Sequence, residues 1–431
     1  MKKFLFLLVV GMVLSMCLGM ADTGDLSNKF IVGDLVPQAP ELAKRGAYSV
    51  GVKTLTFVNK NQLDVVRISA DNPNPLYDRE LTVEVWYPAK LHEGEKEITK
   101  YVIYFKKDAN SKAYPLEILG RAVRDASPLK EKTPYPLVII SHGYTGSRYI
   151  MSYLAENLAS KGYVVISIDH TESTYNDVGP FSSTLINRSL DQIFVIDSLE
   201  KLVKEDSFWK DLYDPNNVGL IGYSMGGYGA LRTIGAGYSS ILLRFTNGVG
   251  DFVLEEKTLR GDPRVKACVL FAPWGGEFGF WTKTALAKIT IPTFWVAGTH
   301  DDVAGFDSIV KLFESTVNSP RYFLIYENAR HNIAPNPPFE EAKTADDYLR
   351  WGEPIWNERM INNINQHFAT AFLGLYLKKD KNLEKYINVK VEEASQGVYA
   401  LDSDGNPKPE HTYWPGFAPR TALGLKLLKR F

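Results

Sequence analysis

The sequence predicts a doubly wound α/β fold in which a mostly parallel sheet is flanked by helices. The first observation is a series of short runs that are almost wholly apolar, a pattern typical of strands buried on both faces of a parallel sheet. The second is the helical stretches that separate these runs, since alternating strands and helices indicate this fold class. The runs are 136–141, 163–168, 218–223, 265–272, 292–297 and 322–326.

The flanking elements follow from the same patterns. Two earlier strand-like runs, 52–58 and 81–87, predict strands near the N-terminus. The turn-rich stretch 71–75 between them indicates that they are separate strands. Helices are expected at 150–161 and 189–202. A later helix is indicated by apolar residues at helical spacing, which would pack one face on the sheet: Ile361, Ile364, Phe368, Ala371, Phe372 and Leu375.

Composition excludes several classes of protein. The 431 residues are 45% hydrophobic and 23% charged, which is ordinary for a globular protein and argues against a disordered, collagen-like or multi-span membrane chain. Lys and Arg number 49 and Asp and Glu 50, so no excess positive charge points to a nucleic acid partner. Only two cysteines are present, which excludes a disulfide framework.

The first 21 residues have the pattern of a secretory signal peptide. Lys2 and Lys3 precede the apolar run 4–18, and small residues come before a cleavage site after Ala21. We therefore expect a secreted or periplasmic protein with no integral membrane span after cleavage. Lipid attachment at Cys17 is less favoured, because Met16 before it is not small.

The remaining chain divides into three predicted parts. Residues 22–44 form a polar N-terminal arm, residues 45–380 a catalytic α/β domain, and residues 381–431 a C-terminal extension packed on that domain. Nothing in the pattern indicates an oligomeric state.

A candidate nucleophile lies where this fold can use one. Ser224 is the centre of a G-x-S-x-G motif, 222–226, which directly follows the run 218–221 and opens a helix-like stretch at 227–234. A serine in a tight strand-to-helix turn needs small neighbours two residues away on each side, because the strand and helix come close there. The motif and its context together predict a nucleophile elbow.

An activated serine needs a base, and the base needs a carboxylate that orients it. His331 follows the last apolar run, and Asp301 follows the run before it, so the chain order is serine, acid, histidine. Asp302 competes with its neighbour Asp301, which we favour, and Glu277 is a weaker alternative. His300 beside them does not predict a metal site, because no second cluster of ligands has a suitable spacing.

The backbone donors that would stabilise an oxyanion are also suggested by position. One is the N–H of Met225, the residue after the nucleophile, and the other is the N–H of Tyr144 in the loop after 136–141. Tyr144 and Trp274 are candidate walls for the acyl group of a substrate. For Trp274, simple packing at the rim of the site is an equal alternative.

These motifs resemble the α/β-hydrolase superfamily, and within it bacterial esterases similar to platelet-activating-factor acetylhydrolase and dienelactone hydrolase. The residues that carry the likeness are Ser141-His142-Gly143, the motif around Ser224, and the segments 46–51, 83–88 and 120–126. A second likeness, to cutinase-type polyester hydrolases, rests on 143–145, 272–274 and 331–336. This second pattern implies that Asp301 is the acid. About a hundred residues follow His331, whereas cutinase-type enzymes end soon after that position.

The resemblance implies a secreted serine esterase that needs no cofactor and acts on a small-molecule, lipid or polymer ester. Short-acyl or acetyl esters are favoured, with polyester hydrolysis as the alternative. A serine peptidase of the same fold and a non-catalytic binding protein with this fold remain competing hypotheses. The acidic, proline-containing stretch 334–354 is either a lid over the site or a solvated loop.

Overall fold

The computed structural model describes residues 29–108, 110–237, 240–245 and 261–431. The expected signal peptide, residues 1–21, lies outside the described residues, as does part of the expected arm at 22–44. In the described part of the chain, none of the helices is both long and apolar enough to cross a bilayer.

The predicted α/β fold is confirmed: eleven strands form one mixed sheet, and two more form a separate hairpin. In chain order the strands are β1 (Ser49–Leu63), β2 (Leu76–Lys90), β3 (Thr99–Phe105), β4 (Tyr114–Gly120), β5 (Val123–Arg124), β6 (Ser127–Pro128), β7 (Tyr135–Ser141), β8 (Val164–Ile168), β9 (Tyr213–Tyr223), β10 (Val265–Phe271), β11 (Thr293–Gly298), β12 (Arg321–Tyr326) and β13 (Leu425–Arg430).

The sheet is parallel at its centre and antiparallel at its ends. Its order is β13-β12-β11-β10-β9-β7-β8-β2-β1-β5, with β6 beside β2. The six strands from β12 to β8 are mutually parallel, and each contains one of the apolar runs. Strand β2 joins β8 antiparallel, and β13 joins β12 antiparallel. The parallel strands therefore all end at one edge of the sheet, where their loops can meet.

Helices cover both faces of the sheet. They are α1 (Ser152–Ser160), α2 (Phe181–Glu205), α3 (Met225–Thr233), α4 (Ser240–Phe245), α5 (Lys283–Leu286), α6 (Phe306–Ser315), α7 (Ala345–Trp351) and α8 (Glu358–Leu377). The contacts of two glycines in β9 show which helix lies on each face of the sheet. A Cβ on Gly219 would meet Leu373 and Leu377 of α8, whereas one on Gly222 would meet Gly226 of α3. Because residues three apart in a strand face opposite ways, α8 and α3 lie on opposite faces.

The C-terminal residues pack on α8 and complete the sheet. Trp414 and Phe417 are buried against Phe368 of α8. Strand β13 then pairs with β12 along its whole length, so residues 381–431 contribute a strand as well as a packing surface. From the other end of the chain, the Val36 N–H donates to the Asn363 side chain at 2.9 Å and thereby fastens the N-terminal arm to α8.

A buried acid in α1 makes the stability of the fold depend on pH. Glu156 is 2% exposed; its carboxyl group accepts hydrogen bonds from the Tyr101 hydroxyl at 2.5 Å and from the Arg121 N–H at 2.8 Å. Burial raises the pKa of Glu156 to about 7. The folded protein therefore keeps a proton that the unfolded chain releases, and this favours folding at low pH.

We predict that the contribution of Glu156 is fully present below about pH 4.5 and is lost as the pH rises to about 7. The Glu156→Gln variant keeps a neutral side chain of the same shape at every pH. Denaturant unfolding at pH 5 and pH 8 should show a loss of about 2.5 kcal/mol in the wild type that the variant lacks. Equal pH dependence in the two proteins would contradict the prediction.

Candidate active site

Ser224 lies in the sharp turn between β9 and α3. Its backbone has φ 52° and ψ −114°, a conformation that is strained for a residue with a side chain. The turn is fixed from the neighbouring strand, because the Ser224 N–H donates to the Phe271 carbonyl at 2.9 Å. The sharp strand-to-helix turn that a nucleophile elbow requires is thus present at Ser224.

The glycines around Ser224 are required by close backbone contacts. A Cβ on Gly222 would lie 2.5 Å from the Gly226 carbonyl oxygen, and one on Gly226 would lie 1.9 Å from the Ser141 carbonyl oxygen. Neither distance is compatible with a real Cβ. The G-x-S-x-G spacing therefore reflects the packing of β9, α3 and β7 against one another.

His331 and Asp301 are brought together by neighbouring strands. Parallel β11 and β12 end side by side, so the loop carrying Asp301 meets the loop carrying His331. The Nδ1 atom of His331 lies 2.9 and 2.8 Å from the two carboxylate oxygens of Asp301. The Oδ1 atom of that carboxylate also accepts the N–H groups of Val303 and Ala304 at 3.0 and 2.8 Å. Asp301 is 5% exposed, so these bonds fix the position of a buried carboxyl group.

The two other carboxylates considered from the sequence lie elsewhere. The Asp302 side chain is half exposed and forms an ion pair with Arg330, whose hydrogen bond lowers the pKa of the Asp302 carboxyl. Glu277 lies beside the start of α6, where its Oε1 would be 2.1 Å from a Cβ on Gly305. Among the three acids, only Asp301 is hydrogen bonded to His331 in the described structure.

The two residues expected to supply backbone donors belong to segments next to Ser224. Met225 begins α3, and the first N–H groups of a helix have no acceptor within it. Tyr144 follows Gly143, where a Cβ would lie 3.2 Å from the Ser224 Cβ. The loop after β7 therefore passes close to the serine side chain, and the first turn of α3 follows the serine directly.

A cavity of about 460 Å³ contains Ser224 and His331. Its wall is completed by residues from distant segments: Gly143, Tyr144, Thr145, Ile150, Tyr175, Tyr223, Asp302, Val303, Arg330, Asn332, Pro335, Leu349, Arg350 and Trp351. Trp274 is not among them. Its ring packs on Phe181, 5.5 Å between centroids, and Phe181 packs in turn on Tyr144 at 5.2 Å. Trp274 is thus linked through Phe181 to Tyr144, which is part of the wall.

One wall of the cavity comes from the stretch 334–354. Its helix α7 contributes Leu349, Arg350 and Trp351, and the Trp351 ring packs on Phe105 of β3 at 5.2 Å. Asn332, next to His331, donates from its side chain to the Arg350 and Gly352 carbonyls at 3.1 Å each. The stretch thus covers one side of the site and is tied to the histidine loop. Tyr175, Leu349, Arg350 and Trp351 were not predicted, because no motif marks them.

Within the described residues, no three His, Cys, Asp or Glu side chains are grouped so that they could hold a metal ion. Cys268 is fully buried in β10, and burial raises the pKa of its thiol. Its surroundings are those of a core residue.

Comparison with known proteins gives two overlapping family matches. Residues 37–177 match the family described as platelet-activating factor acetylhydrolase, isoform II, and residues 127–240 match the family described as PET hydrolase-like. Among solved structures, the chain is similar to a ferulic acid esterase from Streptomyces cinnamoneus. The TM-score is 0.53 at 20% identity, over 79% of this chain and 94% of that one.

The individual relatives are cutinases and a platelet-activating factor acetylhydrolase. Cutinase 2 of Thermobifida cellulosilytica is 34% identical over 57% of this chain and 74% of its own length. Cutinase est2 of Thermobifida alba is 26% identical over 48% of this chain, and the match spans only 56% of that relative. Platelet-activating factor acetylhydrolase of Cavia porcellus is 23% identical, with 79% of each chain covered.

Proposed function

The chain belongs to the α/β-hydrolase family that includes the Thermobifida cutinases, and on that premise we propose that it is a serine-dependent carboxylic-ester hydrolase. The proposal depends on one observation above all. Ser224, in its strained turn, shares a cavity with His331, whose other face is hydrogen bonded to the buried Asp301. A nucleophile, a base and an orienting carboxylate in this arrangement are the parts of acyl transfer.

The proposed reaction has two steps. In the first, His331 Nε2 takes the proton of the Ser224 hydroxyl while Ser224 Oγ attacks the ester carbonyl. The oxyanion that forms accepts hydrogen bonds from the N–H groups of Met225 and Tyr144. The protonated His331 then returns the proton to the leaving alcohol, and an acyl-enzyme remains.

In the second step, water replaces the alcohol. His331 removes a proton from the water as the water attacks the acyl carbonyl, and then returns that proton to Ser224 Oγ as the acid is released. Asp301 accepts a hydrogen bond from His331 Nδ1–H throughout, so it stabilises the imidazolium without taking a proton itself. Every proton in this scheme moves between Ser224, the substrate, water and His331, so the steps require no cofactor.

We propose short-acyl esters as the substrate class, because α7 closes one side of the cavity. The test is the initial rate on p-nitrophenyl esters from acetyl to palmitoyl, with the Ser224→Ala variant as control. In a filled pocket, one methylene too many costs about tenfold or more. We therefore expect rates to fall steeply beyond butyryl. Rates sustained to palmitoyl would contradict the short-acyl assignment.

Polyester hydrolysis is the second candidate, favoured by the similarity to cutinases and to the PET hydrolase-like family. A polymer chain would have to pass the wall formed by α7. Release of soluble acids from an amorphous polyester film, with the same control variant, would support this candidate. No release, together with hydrolysis of soluble short-acyl esters, would exclude it. If a serine-directed phosphonate labels the protein but no ester is hydrolysed, the result would instead favour a serine peptidase of the same fold.

A further inference from the structure

A second Ser-His-Asp set lies behind the cavity. His170 Nε2 is 2.8 Å from the Ser141 hydroxyl, and His170 Nδ1 is 2.9 Å from the Asp191 carboxylate. All three side chains are 1% exposed or less. No substrate can reach a serine at this depth, so the set cannot act as a second nucleophilic site. Its position at the end of β7, directly before the loop with Tyr144, indicates another role.

The proton positions in this set follow from its partners. Arg79 donates to both oxygens of Asp191, at 2.7 and 2.9 Å, so that residue is a charged carboxylate. A carboxylate only accepts hydrogen bonds, and His170 therefore carries its proton on Nδ1 and accepts the Ser141 hydroxyl proton at Nε2. Burial lowers the pKa of His170 to about 3, which keeps the ring neutral.

The backbone of His170 then fixes the neighbouring histidine. The His170 N–H donates to His142 Nε2 at 3.2 Å, so that nitrogen must be unprotonated. His142 consequently carries its proton on Nδ1, which donates to the Gly143 carbonyl at 2.6 Å. Burial, together with the nearby charge of Arg188, lowers the pKa of His142 well below its usual range, so this ring is also neutral.

The bond to the Gly143 carbonyl bears directly on the oxyanion. The Gly143 C=O and the Tyr144 N–H belong to one planar peptide group and point in opposite directions. Holding the carbonyl therefore aims the N–H. Arg188 adds a second restraint, because its Nη1 donates to the His142 carbonyl at 2.8 Å.

We propose that His142, held in one tautomer by the backbone N–H of His170, is a positioning residue that aims the Tyr144 N–H at the oxyanion. This inference rests on the proposed ester hydrolysis. It assigns to the His142 ring and the His170 backbone the orientation of the oxyanion donor before substrate binds. Such a donor acts mainly in the transition state.

Two substitutions of His142 separate the roles of its nitrogens. In His142→Asn the amide nitrogen takes nearly the place of Nδ1 and can still donate to the Gly143 carbonyl. In His142→Gln the amide reaches only the place of Nε2, so it keeps the bond from His170 and loses the one to the carbonyl. We expect kcat on p-nitrophenyl butyrate to fall by about tenfold to hundredfold in the Gln variant, with KM changed less than threefold. The Asn variant should retain most of kcat.

An inhibitor supplies a readout that a purely structural role would not change. A trifluoromethyl ketone adds to the serine and forms an oxyanion, so its Ki should rise in the Gln variant in proportion to the loss of kcat. Melting temperatures of both variants report any loss of folding. If kcat and Ki in the Gln variant stay within twofold of wild type, or if the Asn and Gln variants lose them equally, the proposal is overturned.

The tautomers can be tested in the wild-type protein, even where a variant does not fold. The imidazole ¹⁵N spectrum at pH 7 should show His142 and His170 neutral, with the proton on Nδ1. A proton on Nε2 of His142 would overturn the proposal. Absence of any Ser224-dependent ester hydrolysis would instead overturn the proposed function. Ester hydrolysis that is unchanged when His142 is replaced would overturn only this inference.

Discussion

Replacing Ser224 with alanine is expected to lower kcat for ester hydrolysis by about 10⁴- to 10⁶-fold. In the proposed reaction the hydroxyl oxygen forms the bond to the acyl group, and the variant lacks that oxygen. The fold should persist, because alanine is smaller than serine and the backbone bond from residue 224 to the Phe271 carbonyl remains. Initial rates, circular dichroism and thermal melting measure both parts of the prediction.

A matched control is available in α2. Ser189 is fully buried, and its hydroxyl has no hydrogen-bond partner in the described structure. Ser189→Ala removes the same atom from a buried serine outside the cavity, so its rate should equal that of wild type. The phosphonate label should be lost only in Ser224→Ala. Activity of that variant within tenfold of wild type would contradict the assignment of Ser224 as nucleophile.

Replacing Asp301 with asparagine is expected to lower kcat by about 10⁴-fold, with a small change in KM. An amide at this position can donate to His331 Nδ1, and this would place the ring proton on Nε2, where the serine proton must be received. The imidazolium formed during attack would also lose the negative charge that stabilises it. Steady-state kinetics at pH 8 would measure the loss.

The neighbouring acid provides the control for this prediction. Asp302 is half exposed and bonded to Arg330, and an exposed ion pair contributes about 1 kcal/mol or less. Asp302→Asn should therefore keep kcat within about threefold of wild type. Equal losses in the two variants would show that the loop, and not the Asp301 carboxylate in particular, is what the reaction needs.

The central strands could be predicted because each is buried on both faces and is therefore almost wholly apolar. The run 322–326, for example, nearly coincides with β12. The strand β13 could not be predicted in this way. Its residues Leu425–Arg430 alternate only in part, and what makes them a strand is pairing with a segment about a hundred residues earlier in the chain. The β3–β4 hairpin, in which one face is largely exposed, was missed for a similar reason.

The candidate site was predictable where a local constraint determines residue type. The glycines around Ser224 are such a case, because backbone contacts leave no room for a side chain. Asp301 and Asp302 are adjacent in sequence, and only the direction of each side chain distinguishes them. The cavity wall from α7 depends on contacts between distant segments, such as Trp351 with Phe105, which leave no periodic signal. The sequence could therefore suggest that the stretch 334–354 covers the site, but it could not identify which of its residues line the cavity.

The last strand has a consequence for the behaviour of the protein in concentrated solution. A long sheet with an open edge offers unpaired backbone groups to other chains and promotes aggregation. Here β13 covers the edge of β12, and its own far side is partly covered by residues of the C-terminal extension: the Leu427 N–H donates to the Glu392 carbonyl at 2.8 Å. The basic side chains of Lys426 and Arg430 pair with Glu393 and Glu392 along that border. A segment with no part in the proposed reaction thus protects the sheet from joining another molecule edge to edge.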